Sequence, residues 1–356
     1  MSRLPIFILF WIVFLLIDLY VFRGLRISYP LADKPILRIG SYILYWSATA
    51  FLSFCLIRFL AQAGQVRPST SWVLAFSGVF IAMYLPKAII LIFNLLSDIR
   101  CAVEWALLKF NFSEKSTAES SIQITRNDFL RIAGSLLALI PFGSVLYGIF
   151  YGRFNFRLEE IEVSSHKLRP NSPPIRVVQI SDAHLGSFLE NKAPVEDAIQ
   201  RINDLKPDLI LFTGDLVNDR ADEAEPWIDV FSQLQAKHGK YSVLGNHDYG
   251  DYVQWPSKEA KTENLERLKQ IHAKMGFRLL LNENERLEIN ENSIEISGVE
   301  NWGLPPFPQH GNLDLAQEKV DPNAFNILLS HDPTHFDEQV VKHSKKPDLT
   351  LSGHTH

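Results

Sequence analysis

Cysteine is scarce in this chain, and histidine is missing from its first half. The two cysteines, Cys55 and Cys101, precede Tyr151, whereas all 11 histidines follow it. Two isolated cysteines exclude a disulfide framework and a zinc module built on cysteines. The chain also lacks blocks of like charge of the size found in disordered tails.

The second half of the chain has no excess of basic residues, which a nucleic-acid-binding domain would need. Up to Phe150 the chain has 13 Lys and Arg against 7 Asp and Glu, and from Tyr151 onward it has 22 against 33. The acidic second half argues against electrostatic binding of nucleic acid. This change of charge balance, in a chain of 356 residues, predicts two domains, at residues 1–153 and 154–356.

The first half contains four long apolar stretches, at residues 4–22, 40–57, 69–96 and 132–151. About 20 apolar residues are needed to cross ~30 Å of hydrocarbon. A buried core helix or a cleaved signal peptide is the alternative for one stretch, but four together predict a transmembrane region of four helices. Asp18 and Lys87 lie inside two stretches, where ionisable residues are candidates for function. A passive role is favoured, because Asp18 is near a span end and Lys87 follows Pro86, which can end a helix.

Five short apolar runs in the second half are each followed by polar residues. The runs are residues 176–180, 209–212, 241–244, 325–329 and 349–351. Val195–Leu205 has apolar residues at the helical period and separates the first two runs as a predicted helix. This alternation is typical of an α/β domain. In open α/β sheets ligands bind beyond the carboxyl ends of the strands, so we expect these polar residues at one edge.

The polar residues at the strand ends form a set of metal ligands. They are Asp182, His184, Asp215, Asn246, His331, His354 and His356. Oxygen and imidazole ligands suit Mn, Fe or Zn rather than metals that prefer thiolates. The set is large enough for two ions, with Asp215 between them, and two metals ~3.5–4 Å apart are a common device for hydrolysing phosphate esters. The other histidines are interpreted as surface or loop residues: His166, His238, His272, His310, His335 and His343.

The order of these motifs resembles that of the calcineurin-like metallophosphoesterase family. The motifs are Asp182-x-His184, Gly214-Asp215, Gly245-Asn246-His247-Asp248, Ser330-His331 and Gly353-His354-Thr355-His356. The resemblance covers residues 175–356 and implies a two-sheet β-sandwich flanked by helices. It implies that Asp182, His184, Asp215 and His356 hold one divalent or trivalent ion. It implies that Asp215, Asn246, His331 and His354 hold a second.

The resemblance also assigns catalytic roles. His247 matches a histidine that contacts the phosphate and protonates the leaving group without binding metal, and Asp248 would orient its imidazole. With the membrane region, the chain resembles a bacterial branch of membrane-anchored envelope phosphodiesterases. The implied reaction is hydrolysis of a phosphodiester or pyrophosphate by metal-activated hydroxide, on a substrate that is lipid-linked or part of the envelope.

Two alternatives stay open, a phosphomonoesterase and a metal-binding scaffold without catalysis. His247 and the full ligand set argue against the scaffold. The expected partners are a phosphoester substrate and the lipid bilayer, with no nucleic acid, and the sequence indicates no protein partner. Residues 301–307 are a candidate substrate-side loop or a packed proline-rich connection. Because the family pattern continues beyond Gly-His-Thr-His, we expect the chain to be truncated at its C-terminus.

The distribution of Lys and Arg predicts how the chain lies in the membrane. Nine lie in or beside the first and third loops, against five on the other side. The positive-inside rule makes the nine cytoplasmic, which places residues 154–356 outside the cytoplasm of a bacterial inner membrane. Residues 125–131 resemble a twin-arginine export signal with Asn127 in place of the second arginine. The alternative is a cytoplasmic hydrolase facing lipids of the inner leaflet.

Overall fold

The computed structural model describes residues 4–29, 34–62, 70–110, 126–188 and 191–355. The chain divides into two compact units, Met1–Asn155 and Phe156–His356. The first unit is a bundle of four helices: α1 Leu4–Ser28, α2 Pro35–Gln62, α3 Thr70–Lys109 and α4 Arg126–Phe150. All four are long and apolar enough to cross a membrane, so the prediction of four spans is confirmed.

Helix α3 differs from the predicted span. It continues through Pro86 to Lys109, so the proline does not end it. Proline is tolerated in membrane helices because neighbouring helices and local adjustments satisfy the freed carbonyl. Lys87 is therefore an interior residue of a long helix and is 7% exposed.

Lys87 and Asp18 form a buried ion pair that joins three helices. Lys87 Nζ donates to Asp18 Oδ1 over 2.6 Å. The second carboxylate oxygen accepts from Thr49 Oγ1 at 2.8 Å and Tyr84 Oη at 3.0 Å. The ammonium also lies over the rings of Tyr84 and Tyr45. The sequence predicted that Asp18 lies near the end of its span. In the structure the apolar window of α1 is Ile8–Ser28, so Asp18 lies at its middle.

The second unit contains two four-stranded sheets. The first sheet is parallel throughout and has the order β1 Val177–Ile180, β2 Leu209–Phe212, β3 Lys240–Ser242 and β4 Arg278–Leu279. The second has the order β5 Glu283–Ile289, β6 Asn292–Gly298, β7 Phe325–Leu329 and β8 Leu349–Leu351, with only β5 antiparallel to its neighbour. The helices are α5 Ala193–Asp204, α6 Ile228–Phe231, α7 Lys258–Lys274, α8 Leu313–Gln317 and α9 Thr334–Glu338.

Strand β2 shows why the two sheets form a sandwich. Leu209 and Leu211 pack in the core shared with the second sheet, whereas Ile210 and Phe212 pack against the helices on the opposite face. All four side chains are fully buried. Burial of each contributes about 1.5–3 kcal/mol, which explains the continuous apolar run of this strand. The predicted sandwich with flanking helices is confirmed.

Two histidines assigned to the surface or loops are buried. His272 on α7 is 1% exposed beside Phe212 and Phe277, and burial lowers its pKa to about 4. His335 is fully buried, with Nδ1 2.8 Å from Ser330 Oγ. The surface interpretation was therefore wrong for both, because a neutral imidazole packs in a core as an aromatic ring does.

We expect the Asp18–Lys87 pair to stabilise the bundle as a unit. Asp18→Asn or Lys87→Met should each lower the free energy of unfolding by about 3–5 kcal/mol, because the remaining charge is then buried without its partner. The double variant should recover most of this loss. The measurement is the temperature at which the buried thiol of Cys55 reacts with a maleimide in detergent, after the exposed Cys101 is replaced by Ser.

Glu104→Gln is the matched control, because Glu104 pairs with Arg100 on the surface of α3. Its effect should stay within about 0.5 kcal/mol. Unchanged midpoints in both single variants would show that the pair does not stabilise the bundle.

Candidate metal centre

The loops that follow β1, β2, β7 and β8 meet through hydrogen bonds from backbone N–H groups. The N–H of Asp182, after β1, donates to the carbonyl of Gly214, after β2. The N–H of Gly353, after β8, donates to the carbonyl of His331, after β7. His354 N–H reaches back to both carboxylate oxygens of Asp182, at 3.1 and 3.0 Å. The candidate site thus lies between the two sheets and not along the edge of one.

Asp215 is at the centre of this cluster and is 1% exposed. Its Oδ1 accepts the N–H of His247 at 2.9 Å. Its Oδ2 lies 3.2 Å from His331 Nε2 and 3.7 Å from His184 Nε2. A Cβ on Gly245 would lie 2.2 Å from Asp215 Oδ1, so glycine is required for the loops to approach this closely.

Among the residues that the structure describes, two groups of side chains are close enough to hold a cation, and both contain Asp215. One is His184, Asp215 and His247, and the other is Asp215, His331 and His354. In each group the ligand atoms lie within 4.8 Å of one another. One oxygen of Asp215 thus lies between the imidazole groups of His184 and His331.

The surroundings of His331 test whether these residues fit a metal ion. Its Nδ1 lies 2.8 Å from the carbonyl of Thr213, which can only accept, so Nδ1 carries the hydrogen. Its Nε2 faces Asp215 Oδ2 at 3.2 Å and Asn246 Oδ1 at 3.0 Å. Three acceptor atoms this close require a positive charge among them, either a proton or a cation. The residues therefore fit a divalent metal ion.

The pKa values of His331 and Asp215 are shifted in the directions that favour a positive charge beside the carboxylate. Burial acts to lower the pKa of His331, but the hydrogen bond and charge of Asp215 outweigh it and raise the pKa to about 9. Burial acts to raise the pKa of Asp215, but His331, His247 and His184 together lower it. Each partner thus stabilises the charged form of the other.

The remaining predicted ligands border these groups. Asn246 is 1% exposed, and its Oδ1 also lies 2.8 Å from His354 Nδ1. Asp182 Oδ1 lies 4.0 Å from His184 Nε2, and Asp182 Oδ2 accepts from Ser181 Oγ at 2.5 Å. Asp182 is outside the two groups of three, whereas His247 belongs to the first. His356 lies outside the described residues.

The structure corrects the contact expected between Asp248 and the imidazole of His247. His247 Nδ1 instead lies 2.6 Å from the carbonyl of Asn218. Asp248 is fully buried, and its carboxylate accepts four backbone N–H groups, from Asp215, Leu216, Val217 and Gly245. Burial and the charge of Asp215 raise its pKa to about 7, and the N–H donors oppose this. Asp248 therefore positions the loops that carry the candidate ligands.

Four of the candidate ligands have left-handed backbone conformations. Asp182, His184, Asp215 and His354 have φ values of 54°, 41°, 59° and 68°. Residues other than glycine rarely adopt positive φ, and such strain clusters at functional sites. The positive φ values cost backbone energy, and the loops that adopt them bring the side chains of the candidate ligands together.

Two residues around the site, Glu223 and Tyr252, follow no motif in the sequence. Glu223 Oε2 accepts the N–H of Asn218 at 2.7 Å and so fixes the carbonyl that holds His247, and burial raises its pKa to about 7. Tyr252 Oη accepts from Asn246 Nδ2 at 2.8 Å. The candidate substrate-side loop 301–307 also reaches the site, because the rings of Phe307 and His354 are perpendicular with centroids 4.7 Å apart.

Two family models match the chain. The family described as "Probable Calcineurin-like phosphoesterase, transmembrane domain" matches residues 2–153. The family described as "Calcineurin-like phosphoesterase" matches residues 175–356. The resemblance read from the motifs is confirmed by these matches.

Similar proteins come from bacteria and animals. The metallophosphoesterase YkuE of Bacillus subtilis is 30% identical over 66% of this chain and 77% of its own length. A transmembrane protein with metallophosphoesterase domain from Danio rerio is 26% identical over 59% of this chain and 47% of its own length. Phosphodiesterase YaeI of Escherichia coli is 27% identical over 55% of this chain and 66% of its own length.

Metal content should separate the two roles open to His247. His247→Ala should retain its metal content, because the sequence predicts His247 to be a non-ligand and its Nδ1 is already held by Asn218. His331→Ala is the matched control and should lose metal, because its Nε2 faces Asp215 and Asn246. The measurement is metal per chain by plasma mass spectrometry after dialysis. Loss of metal from His247→Ala equal to that from His331→Ala would make His247 a ligand.

Proposed function

Since the chain belongs to the calcineurin-like phosphoesterase family, whose members hydrolyse phosphoester bonds, we propose that it is a membrane-anchored phosphodiesterase with two metal ions. The observation that carries this proposal is the position of Asp215, shared by two groups of possible ligands. The proposed first site is Asp182, His184, Asp215 and His356. The proposed second site is Asp215, Asn246, His331 and His354.

The family implies divalent metal ions, and Mn, Fe or Zn suits this ligand set. When bound, two such ions polarise the phosphate and make water nucleophilic near neutral pH. Asn246 is anchored by Tyr252, which holds its oxygen toward the second site. Asp215 is anchored through its own N–H by Asp248. The protein thus supplies a preorganised set of oxygen and nitrogen atoms.

His247 is the proposed proton donor to the leaving oxygen. Its Nδ1 is held by the carbonyl of Asn218, which leaves Nε2 as the reactive nitrogen. Its ring lies 4.9 Å from the ring of His184 and 4.6 Å from that of Tyr252. The imidazole is thus fixed beside the first proposed metal site, where a leaving group would depart.

A phosphodiester or pyrophosphate of lipid or envelope origin is the proposed substrate. The relative YaeI is named a phosphodiesterase, and the membrane helices would keep the hydrolase near lipid substrates. Tyr252 and Leu304 are each 42% exposed near the site and can contact apolar parts of a substrate. A phosphomonoesterase is the second candidate, which the same ligand set would serve equally well.

Metal dependence tests the reaction. Full-length protein in detergent should hydrolyse bis(p-nitrophenyl) phosphate, lose this activity with a chelator, and regain it with Mn²⁺, Fe²⁺ or Zn²⁺. Asp215→Asn should lose metal and rate together. His247→Ala should keep metal and lose roughly 10²–10⁴-fold in rate with a diester that releases an alkoxide. The loss should be smaller with bis(p-nitrophenyl) phosphate, because p-nitrophenolate leaves without a proton.

The controls distinguish the alternatives. Glu225→Gln, which alters an exposed pair with Arg267, should leave the rate unchanged. Faster hydrolysis of p-nitrophenyl phosphate than of the diester would favour the monoesterase. Bound metal without hydrolysis of either substrate would favour the metal-binding scaffold without catalysis. Full activity after removal of metal would exclude a metal-dependent mechanism.

We also propose that the hydrolase lies outside the cytoplasm, in the inner membrane of a bacterium. The support is the excess of Lys and Arg in the first and third loops. Alkaline phosphatase fused after Arg157 should be active, because this reporter folds only in an oxidising compartment. An inactive phosphatase fusion with an active cytoplasmic reporter at the same position would reverse the topology.

A further inference from the structure

The imidazole of His247 is connected to a carboxylate through one peptide unit, that of Asn218 and Asp219. His247 Nδ1 lies 2.6 Å from the carbonyl oxygen of Asn218, which can only accept, so Nδ1 carries the hydrogen and donates it. The N–H of Asp219 belongs to the same peptide unit and donates to the carboxylate of Glu223. In a trans peptide the N–H and the C=O point in opposite directions, so the imidazole and the carboxylate lie on opposite sides of this unit.

The carboxylate of Glu223 is held in place by the segments around it. Its Oε2 also accepts the N–H of Asn218 at 2.7 Å. Glu223 ends a turn of 3-10 helix, Ala221–Glu223, whose first N–H donates to Asn264 of α7 at 2.8 Å. The loop after β1 packs against the carboxylate so closely that a Cβ on Gly186 would lie 2.4 Å from Oε2. Glu223 is therefore half-buried and fixed by both neighbouring loops.

The peptide unit between the two groups has little freedom to rotate. Asn218 is buried, and Ser187 Oγ lies 3.1 Å from its Nδ2 and 3.3 Å from its Oδ1. The side chain and the backbone N–H of Asn218 are thus both anchored. Its carbonyl oxygen consequently stays directed at His247.

The charge of Glu223 acts along this row of hydrogen bonds. Hydrogen bonds in series polarise one another, and the effect is larger when one end is ionised. A carboxylate that accepts the N–H of a peptide unit increases the negative partial charge on the carbonyl oxygen of that unit. Burial and the charges of Asp219 and Asp222 raise the pKa of Glu223 to about 7, although its two N–H donors favour the ionised form.

We propose that Glu223 is a positioning residue for the hydrolytic reaction, and that it acts on His247 through the peptide unit of Asn218 and Asp219. It strengthens the hydrogen bond that keeps a proton on Nδ1 and so holds Nε2 toward the leaving oxygen. The proton passes from Nε2 to that oxygen, and the neutral imidazole keeps the proton on Nδ1. Glu223 thus has the role that the sequence assigned to Asp248. This inference rests on the proposed function of His247 as the proton donor.

Two diesters of similar shape measure this role in the full-length protein in detergent, at a pH well above the pKa of Glu223. Diphenyl phosphate releases phenolate, a stronger base that needs a proton more than the p-nitrophenolate of bis(p-nitrophenyl) phosphate does. With diphenyl phosphate the rate should fall roughly fivefold in Glu223→Gln and about 10–100-fold in Glu223→Ala, because a charge-assisted hydrogen bond is weakened or lost. Both losses should be several-fold smaller with bis(p-nitrophenyl) phosphate.

A second comparison separates positioning from a general effect on folding. Glu223→Gln should lower the rate of His247→Ala less than twofold, because the residue on which it acts is gone. The metal content of Glu223→Gln should equal that of the unchanged protein. Glu225→Gln is the matched control, since it makes the same change two positions away, in an exposed pair with Arg267, and should alter neither rate nor metal content.

Proton NMR observes the hydrogen bond without hydrolysis. The proton on Nδ1 should give a downfield resonance that is absent from His247→Ala. This resonance should move upfield in Glu223→Gln and further in Glu223→Ala, because the bond to the carbonyl weakens, and should stay in place in Glu225→Gln. If neither diester is hydrolysed while the resonance moves in this order, the positioning by Glu223 stands and the proposed phosphodiesterase function fails.

Four results would overturn the inference. Equal losses of rate with both diesters, or equal losses with and without His247, would show that Glu223 has only a structural role. The same conclusion follows if Glu223→Gln loses as much metal as His331→Ala. A downfield resonance that Glu223→Ala leaves unchanged would show that the carboxylate does not act on the imidazole.

Discussion

The candidate metal centre depends on the buried carboxylate of Asp248. This group joins the loop after β2 to the loop after β3 through four backbone N–H groups. Hydrogen bonds to a carboxylate are strongest when it is ionised, and these four offset part of the cost of burying it, although its pKa is still raised to about 7. The two loops carry Asp215, Asn246 and His247. Asp215 can therefore keep a φ of 59°, which an unrestrained aspartate would rarely adopt.

Where the site lies was predictable, because buried parallel strands leave a clear pattern. The runs 209–212, 325–329 and 349–351 coincide with β2, β7 and β8, and each ends at a polar residue of the site. The hairpin of β5 and β6 was missed. Strand β5 is mostly exposed or half-buried and carries several charges, whereas β6 is largely buried but contains polar residues. The turn between them has Asn290 and Glu291 at φ 50° and 62°. That is the backbone of a type I′ turn without the glycine that usually marks one.

Which residue contacts which was harder to predict. His247 and Asp248 are adjacent in sequence and occupy one turn of 3-10 helix, where neighbouring side chains leave the axis about 120° apart. His247 consequently borders the site while Asp248 points into the protein. The true partner of the imidazole is a backbone carbonyl, that of Asn218, and a backbone contact leaves no residue-type signal. Glu223 holds the N–H of Asn218, and this contact could not be predicted either, because it too involves the backbone.

Balance between donors and acceptors separates structural from ligand-binding polar clusters in both units. Around Asp18, the ammonium of Lys87 and two hydroxyl groups satisfy one carboxylate, and the cluster is complete. Around Asp215, carboxylate, amide and imidazole acceptors converge and require a cation. In surroundings of low dielectric constant such an imbalance is costly, so the excess of acceptors around Asp215 predicts a positively charged ligand.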